Sequence, residues 1–262
     1  MDLDLTGKVA LVTAASKGLG RATATQLAAE GARVMISSRG AEQLARTAAE
    51  IADATGAQVE HCPADVSDAG GLARLLAETE QKLGGVDVLV NNAGGPRPGG
   101  FDALDDAAWA EAFELNLMST VRLFRGVLPH MRQQQWGRIV TIASSSIKQP
   151  IDNLLLSNTY RVALLGLSKS LATEFAPEGV LINVVGPGRI ATDRVAGLDA
   201  ARAEKSGISV EEARKLSEKT IPLGRYGTAE EFGKVVAFVA SGANTYLTGQ
   251  HLLVDGGMVK AI

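Results

Sequence analysis

Within the apolar run LLLSNTYRVALLGLSKSLA, residues 154–172, stand three side chains able to do chemistry: Ser157, Tyr160 and Arg161. The run has the period of a helix, so Ser157 and Arg161, four apart, share a face one turn from each other. Tyr160 lies about 60° round the axis from Ser157, close enough for its phenol to lean toward the same space. A guanidinium keeps its charge at ordinary pH and can stabilise an oxyanion. A phenol titrating near ~10 already needs a downward shift to act as an acid, and an alkyl hydroxyl is far weaker. Ser157 is therefore a poor proton donor. Packing against a neighbouring helix or a second subunit is the plainer use for Tyr160.

A second stretch, TAASKGLGRA at residues 13–22, is suited to holding a phosphate. Gly18 and Gly20 fall where a strand turns tightly into a helix, so that backbone amides can approach a pyrophosphate. The second strand ends in ISSRG and carries no acidic residue that would repel a 2′-phosphate. Ser37, Ser38 and Arg39, with Lys17 from the glycine turn, favour a phosphorylated dinucleotide, because guanidinium meets phosphate bidentately. The plain alternative is that Arg39 merely opens the next helix in solvent. Arg97, in the loop GGPRPGG, could meet an anionic substrate or stand solvated. His61, His130 and His251 have no spacing that suggests a triad or a metal, and no zinc or iron ligand cluster is present.

These groups need a frame. Apolar runs at residues 8–14, 33–38, 58–66, 86–94, 137–144, 180–188 and 251–255 read as seven strands, alternating with helical patterns. Near-continuous hydrophobic strands belong to a parallel sheet covered on both faces. Regular alternation predicts an α/β, doubly wound fold with right-handed crossovers. No linker or repeat interrupts residues 1–262, which read as a single domain. Two segments break the rhythm: the Gly/Pro loop 94–100 after the fourth strand, and residues 190–227 after the sixth. Both follow carboxyl ends of strands, where open α/β sheets bind ligands. The second reads as a helical lid broken at a Ser-Gly pair.

A formal charge of −3 gives no footprint for nucleic acid or an anionic membrane. No stretch approaches the ~20 apolar residues of a bilayer span. The acidic start, MDLDLTGKVALVTAAS, is wrongly flanked for a secretory leader. Cys62, the single cysteine, excludes an internal disulfide framework and suits a reducing, cytoplasmic setting.

Taken together, TAASKGLG, ADV (64–66), NNAG (91–94), ELNL (114–117), GRIVTIAS (137–144), VVGPGRIATD (184–193) and LTGQHLLVDGG (247–257) resemble the short-chain dehydrogenase/reductase family. The likeness is to β-ketoacyl-carrier-protein reductase-like members, over essentially the whole chain. It implies a Rossmann-type, seven-stranded parallel sheet with NADP(H) across its carboxyl edge. By resemblance the cofactor would be lined by Thr13, Ser16, Lys17, Gly18, Leu19, Gly20, Ser38, Arg39, Asp65, Val66, Asn92, Ala93, Gly94, Arg161, Pro187, Gly188, Ile190 and Thr192. Relatives reduce carbonyls with an Asn–Ser–Tyr–Lys set, and Asn116 and Ser144 match its first two members. In the register set by the downstream helix, Ser157 takes the tyrosine position and Arg161 the lysine position. Aligning Tyr160 there instead would put Leu164 in place of the lysine and demand three extra residues. Ser145, Ser146 and Lys148 are further candidate proton donors. Ala14 stands where the family has its first glycine; if φ is positive there, its Cβ costs on the order of 1 kcal/mol.

Three readings remain open. The chain is an NADP(H)-dependent oxidoreductase of a carbonyl or alcohol small molecule, protonated from an unusual source: substrate, water held by Ser157, or Tyr160. Alternatively it binds NADP(H) without turnover, as a sensor or assembly subunit, or uses the pocket for non-redox chemistry. The resemblance further implies a homo-oligomer, a tetramer or dimer, with helices over 105–135 and 153–176 at one interface.

Overall fold

The computed structural model describes residues 1–261. Seven strands form one sheet: β1 (Val9–Val12), β2 (Arg33–Ser38), β3 (Val59–Pro63), β4 (Val88–Asn91), β5 (Gly137–Ile142), β6 (Val180–Pro187) and β7 (His251–Val254). All neighbours are parallel, in the order β3-β2-β1-β4-β5-β6-β7. The order reverses between β1 and β4, which opens a crevice at their carboxyl ends.

Alternation along each strand feeds two separate cores. Ala10, Val12, Val34, Ile36, Val88, Val90 and Val140 point to one face. There they meet Leu27 of α1 (Gly18–Ala29), Leu44 and Ile51 of α2 (Ala41–Thr55), and Phe232 and Val236 of α9 (Ala229–Val239). Val9, Leu11, Met35, Leu89, Ile139 and Ile182 point to the other. Their partners are Leu72 and Leu75 of α3 (Ala69–Leu83), Leu123 and Phe124 of α5 (Ser119–Gln134), and Phe175 of α6 (Leu155–Phe175). Burial on both faces is why the strands read as continuous apolar runs. No helix of the described residues is long and apolar enough to cross a membrane.

The span 105–135, which reads as one helix, is divided. Helix α4 (Asp106–Phe113) passes through a π-helical turn at Glu114–Met118 before α5 begins. A π turn inserts one residue and offsets the apolar pattern beyond it by a single position, a small step within a span that reads as one helix. Asn116 sits in that turn. The lid also has its expected break: α7 (Asp193–Ser206) ends at Gly207 with φ 64°, and Ser209 caps α8 (Val210–Glu218).

Arg138 closes the amino end of β5. Its buried guanidinium donates to the carbonyls of Gly137, Ser241 and Asn244 at 2.9, 2.9 and 3.0 Å. It also lies over the Trp136 ring. Burial pushes its pKa down to about 10. Replacing it with methionine keeps the apolar stem but strips three carbonyls of their donor. Arg138→Met is expected to lower stability by on the order of 3 kcal/mol. The urea midpoint should fall at unchanged slope; an unmoved midpoint would show the contacts to be dispensable.

Candidate active site

The crevice is built first by the turn from β1 into α1. Thr13 is fully buried, and its hydroxyl donates to the Asn92 carbonyl at 2.7 Å while accepting the Asn92 amide at 2.9 Å. The Asn92 side-chain amide reaches the Ala14 carbonyl at 3.3 Å. Thr47 ties down the Ser16 carbonyl. Thus the glycine turn is fastened to the end of β4. Ala14 adopts φ 48°, the left-handed conformation in which its Cβ is strained. Gly18 is likewise at φ 59°, and a Cβ on Gly20 would clash with the Ala14 carbonyl oxygen. Leu19 packs from this turn onto the core.

At the end of β2, the Ser38 hydroxyl is buried without a partner. Arg39 is exposed and in no ion pair among the described residues. Asp65, whose charge it influences, has its carboxylate engaged by the Ser67 amide and hydroxyl at 3.0 and 2.7 Å, which holds it below the usual range. Val66 beside it is buried. Lys17 instead pairs with Asp193 of the lid at 2.9 Å, both largely exposed. Gly188 donates to the Val254 carbonyl, Ile190 is buried and its segment is bridged to Gly227, and Thr192 caps α7. Pro187 ends β6 at the same edge.

Helix α6 brings its face over the ends of β4 and β5. Arg161 is buried, and its guanidinium donates to Ile142 at 2.8 Å and to Ala93 and Gly94 at 3.0 and 3.4 Å, all main-chain carbonyls. Burial, and after it the charge of Arg194, pushes its pKa down to about 10. No carboxylate pairs with it among the described residues. Its hydrogen bonds therefore run to the sheet edge. Asn116 donates to the Gly94 carbonyl at 3.2 Å, leaving its buried Oδ1 without a partner. Ser144 accepts from the Ser146 amide at 3.1 Å, so its own proton is free. The Ser146 hydroxyl is a further buried, unpartnered group. Ser157 is buried on the same helix face as Arg161 and its hydroxyl bonds to nothing in the chain among the described residues.

Tyr160 is elsewhere. Its hydroxyl donates to the Trp109 carbonyl at 3.1 Å, and its ring packs edge-on to Trp109 and tilted to Phe113, between α6 and α4. The Gly/Pro loop is pinned to the start of α6 by Gly99 and Leu155, and Arg97 there makes a 3.4 Å contact to the Ala103 carbonyl. Sequence reasoning overlooked Arg194, which reaches from the first turn of α7 to this loop. A cation directly after Thr-Asp, where a helix start disfavours it, was the available signal.

Comparisons with known proteins agree with this fold. A family model described as enoyl-(acyl carrier protein) reductase matches residues 13–259. The chain is 36% identical over 260 residues to the 3-oxoacyl-acyl-carrier-protein reductase FabG of Aquifex aeolicus, covering 98% of this chain and all of that one. Among solved structures it resembles L-sorbose reductase from Gluconobacter frateurii complexed with NADPH and L-sorbose, at TM-score 0.95, 31% identity and full coverage of both chains. An NADPH-bound short-chain oxidoreductase from Pseudomonas aeruginosa PAO1 containing an atypical catalytic centre matches at TM-score 0.89 and 30% identity over 99% of each chain.

The Ala14 strain yields a direct test. Ala14→Gly should stabilise the fold by a few tenths to about 1 kcal/mol, since relief of strain outweighs the added freedom of the unfolded chain. Ala14→Val, whose branched side chain tolerates positive φ poorly, should destabilise it by roughly 2 kcal/mol. Equal denaturation midpoints for the three proteins would contradict a strained turn.

Proposed function

The chain belongs to the short-chain dehydrogenase/reductase family, and on that premise we propose that it reduces a carbonyl compound with NADPH, using an unusual proton route. The observation that carries the cofactor reading is the end of β2, where an unpartnered Ser38 hydroxyl and an unpaired Arg39 stand while nearby Asp65 is engaged by Ser67. A turn of the Ser38 side chain and the Arg39 fork would receive a 2′-phosphate. Gly18 keeps the glycine turn free of a side chain, and Gly20 lets α1 start close against the Ala14 carbonyl, so that helix amides can face a pyrophosphate. When bound, the cofactor supplies the hydride.

The remaining work falls to the chain's own groups. The Ser144 hydroxyl, with its oxygen already accepting from Ser146, is free to donate to the substrate oxygen. Ser157 would hold a water that passes on the proton, because an alkyl hydroxyl is too weak an acid to supply it alone. Arg161 contributes a desolvated fixed charge that favours oxygen anion formation nearby, while its bonds to Ala93 and Ile142 keep the edge rigid. Tyr160 holds α4 against α6. A second reading has its own support: because the guanidinium of Arg161 is engaged by main chain, the pocket could bind NADPH without turning it over. The free buried Cys62 suits the cytosol, and exposed Phe113 and Val162 on α4 and α6 suit a homo-oligomer.

Two measurements test the reading. NADPH binding, followed by its fluorescence, should weaken at least about tenfold in Arg39→Asp, with NADH affected far less. In a screen of ketones and aldehydes, Ser157→Ala should lower kcat by roughly tenfold to a hundredfold, while Tyr160→Phe stays within about threefold. NADPH binding without any loss of nicotinamide absorbance would favour the second reading. A kcat collapse in Tyr160→Phe alone would overturn the proton route.

A further inference from the structure

Two guanidiniums converge on the loop that leaves β4. Arg161 reaches its Ala93 and Gly94 carbonyls from beneath. Arg194 approaches from the lid, with Nη2 3.5 Å from the Pro96 carbonyl, and its guanidinium lies so close to Gly95 that an added Cβ would sit 2.6 Å from Nη2. Neither is in an ion pair among the described residues. The two aspartates of this segment are occupied elsewhere: Asp193 by Lys17 at 2.9 Å, and Asp199 by Arg189 at 3.0 Å and Tyr226 at 2.9 Å. Arg194 also stands in the first turn of α7, where the helix macrodipole opposes a cation. Two like charges and an adverse dipole are thus gathered at one mouth of the crevice, with only carbonyl dipoles from the chain to answer them. An anion from outside resolves all three.

We propose that Arg194 binds a carboxylate on the substrate, so that the substrate class is a small keto acid rather than a neutral ketone. The inference rests on the reductase reading for the chemistry, but the charge recognition stands apart from it. The guanidinium is planar and offers paired donors that match a carboxylate. Gly94 has open space where a Cβ would stand, and Gly95, lacking one, lets the guanidinium close on the loop backbone. Because Arg194 is exposed, the attraction is open to screening by salt.

The test uses the full-length protein and three matched pairs: pyruvate, acetoacetate and phenylglyoxylate, each against its methyl ester. Turnover with NADPH is read by absorbance, and binding by thermal shift with and without NADPH. The acid of at least one pair should be preferred over its ester at least tenfold in KM or in half-saturating concentration. That preference should vanish in Arg194→Gln, return partly in Arg194→Lys, and shrink between low and high salt. Turnover of acid and ester alike, unchanged in Arg194→Gln, would overturn the inference and leave the reductase reading intact. Acid-selective binding lost in Arg194→Gln but without turnover would uphold the inference and sink the reductase reading. Failure of every acid to be preferred, with or without turnover, rejects it.

Discussion

A buried positive charge is held where the backbones of β4 and β5 end. Arg161 meets that constraint by donating to the carbonyls of Ile142, Ala93 and Gly94. Burying an isolated cation is costly unless its donors are satisfied. The long guanidinium satisfies them by crossing from α6 to the ends of both β4 and β5, a reach that a single ammonium could not divide the same way. Once that cross-tie is in place, Ser157 is fixed on the same helix face, and Gly94 is set to receive Asn116 from the π turn. Through Asn92, the end of β4 is in turn bonded to Thr13 and Ala14 of the glycine turn. One buried charge therefore ties α6 to the sheet edge and is connected, through β4, to the glycine turn.

The fold was readable in the sequence because its physics is periodic. The strands read as near-continuous apolar runs, with β3 (VEHCP) the most polar, since alternate residues of β1, β2 and β4 feed separate cores. The positions of Gly18, Gly20 and the lid break followed from backbone geometry that few other residues tolerate. The π turn at Glu114–Met118 did not show, because a one-residue insertion offsets the hydrophobic spacing by only one position, which an irregular apolar face absorbs. The destination of a long polar side chain was equally hidden. Nothing in the sequence says that the Arg161 head turns to the sheet edge, that Tyr160 finds the Trp109 carbonyl, or that Arg194 crosses to Gly95. Those outcomes depend on which acceptors the tertiary fold leaves within reach.

The two buried arginines make an instructive pair. Arg138 gathers carbonyls at the amino end of β5 and Arg161 at its carboxyl end, and burial lowers the pKa of both to about 10. The first also lies over Trp136, away from the crevice, and its surroundings include no orphaned group. The second is flanked by Asn116, Ser146 and Ser157, polar side chains with hydrogen-bonding capacity still in hand. The same device thus caps one edge and leaves unpartnered polar groups around it at the other. What separates them is the company each keeps.

The contact between Lys17 and Asp193 joins residues 176 apart in sequence, one in the phosphate turn and the other at the root of the lid. Both ends are washed by solvent, so the link is worth little beyond thermal jostling. It works as a hasp rather than a bolt. Added salt slackens it further, so the glycine turn and the start of α7 are joined only lightly.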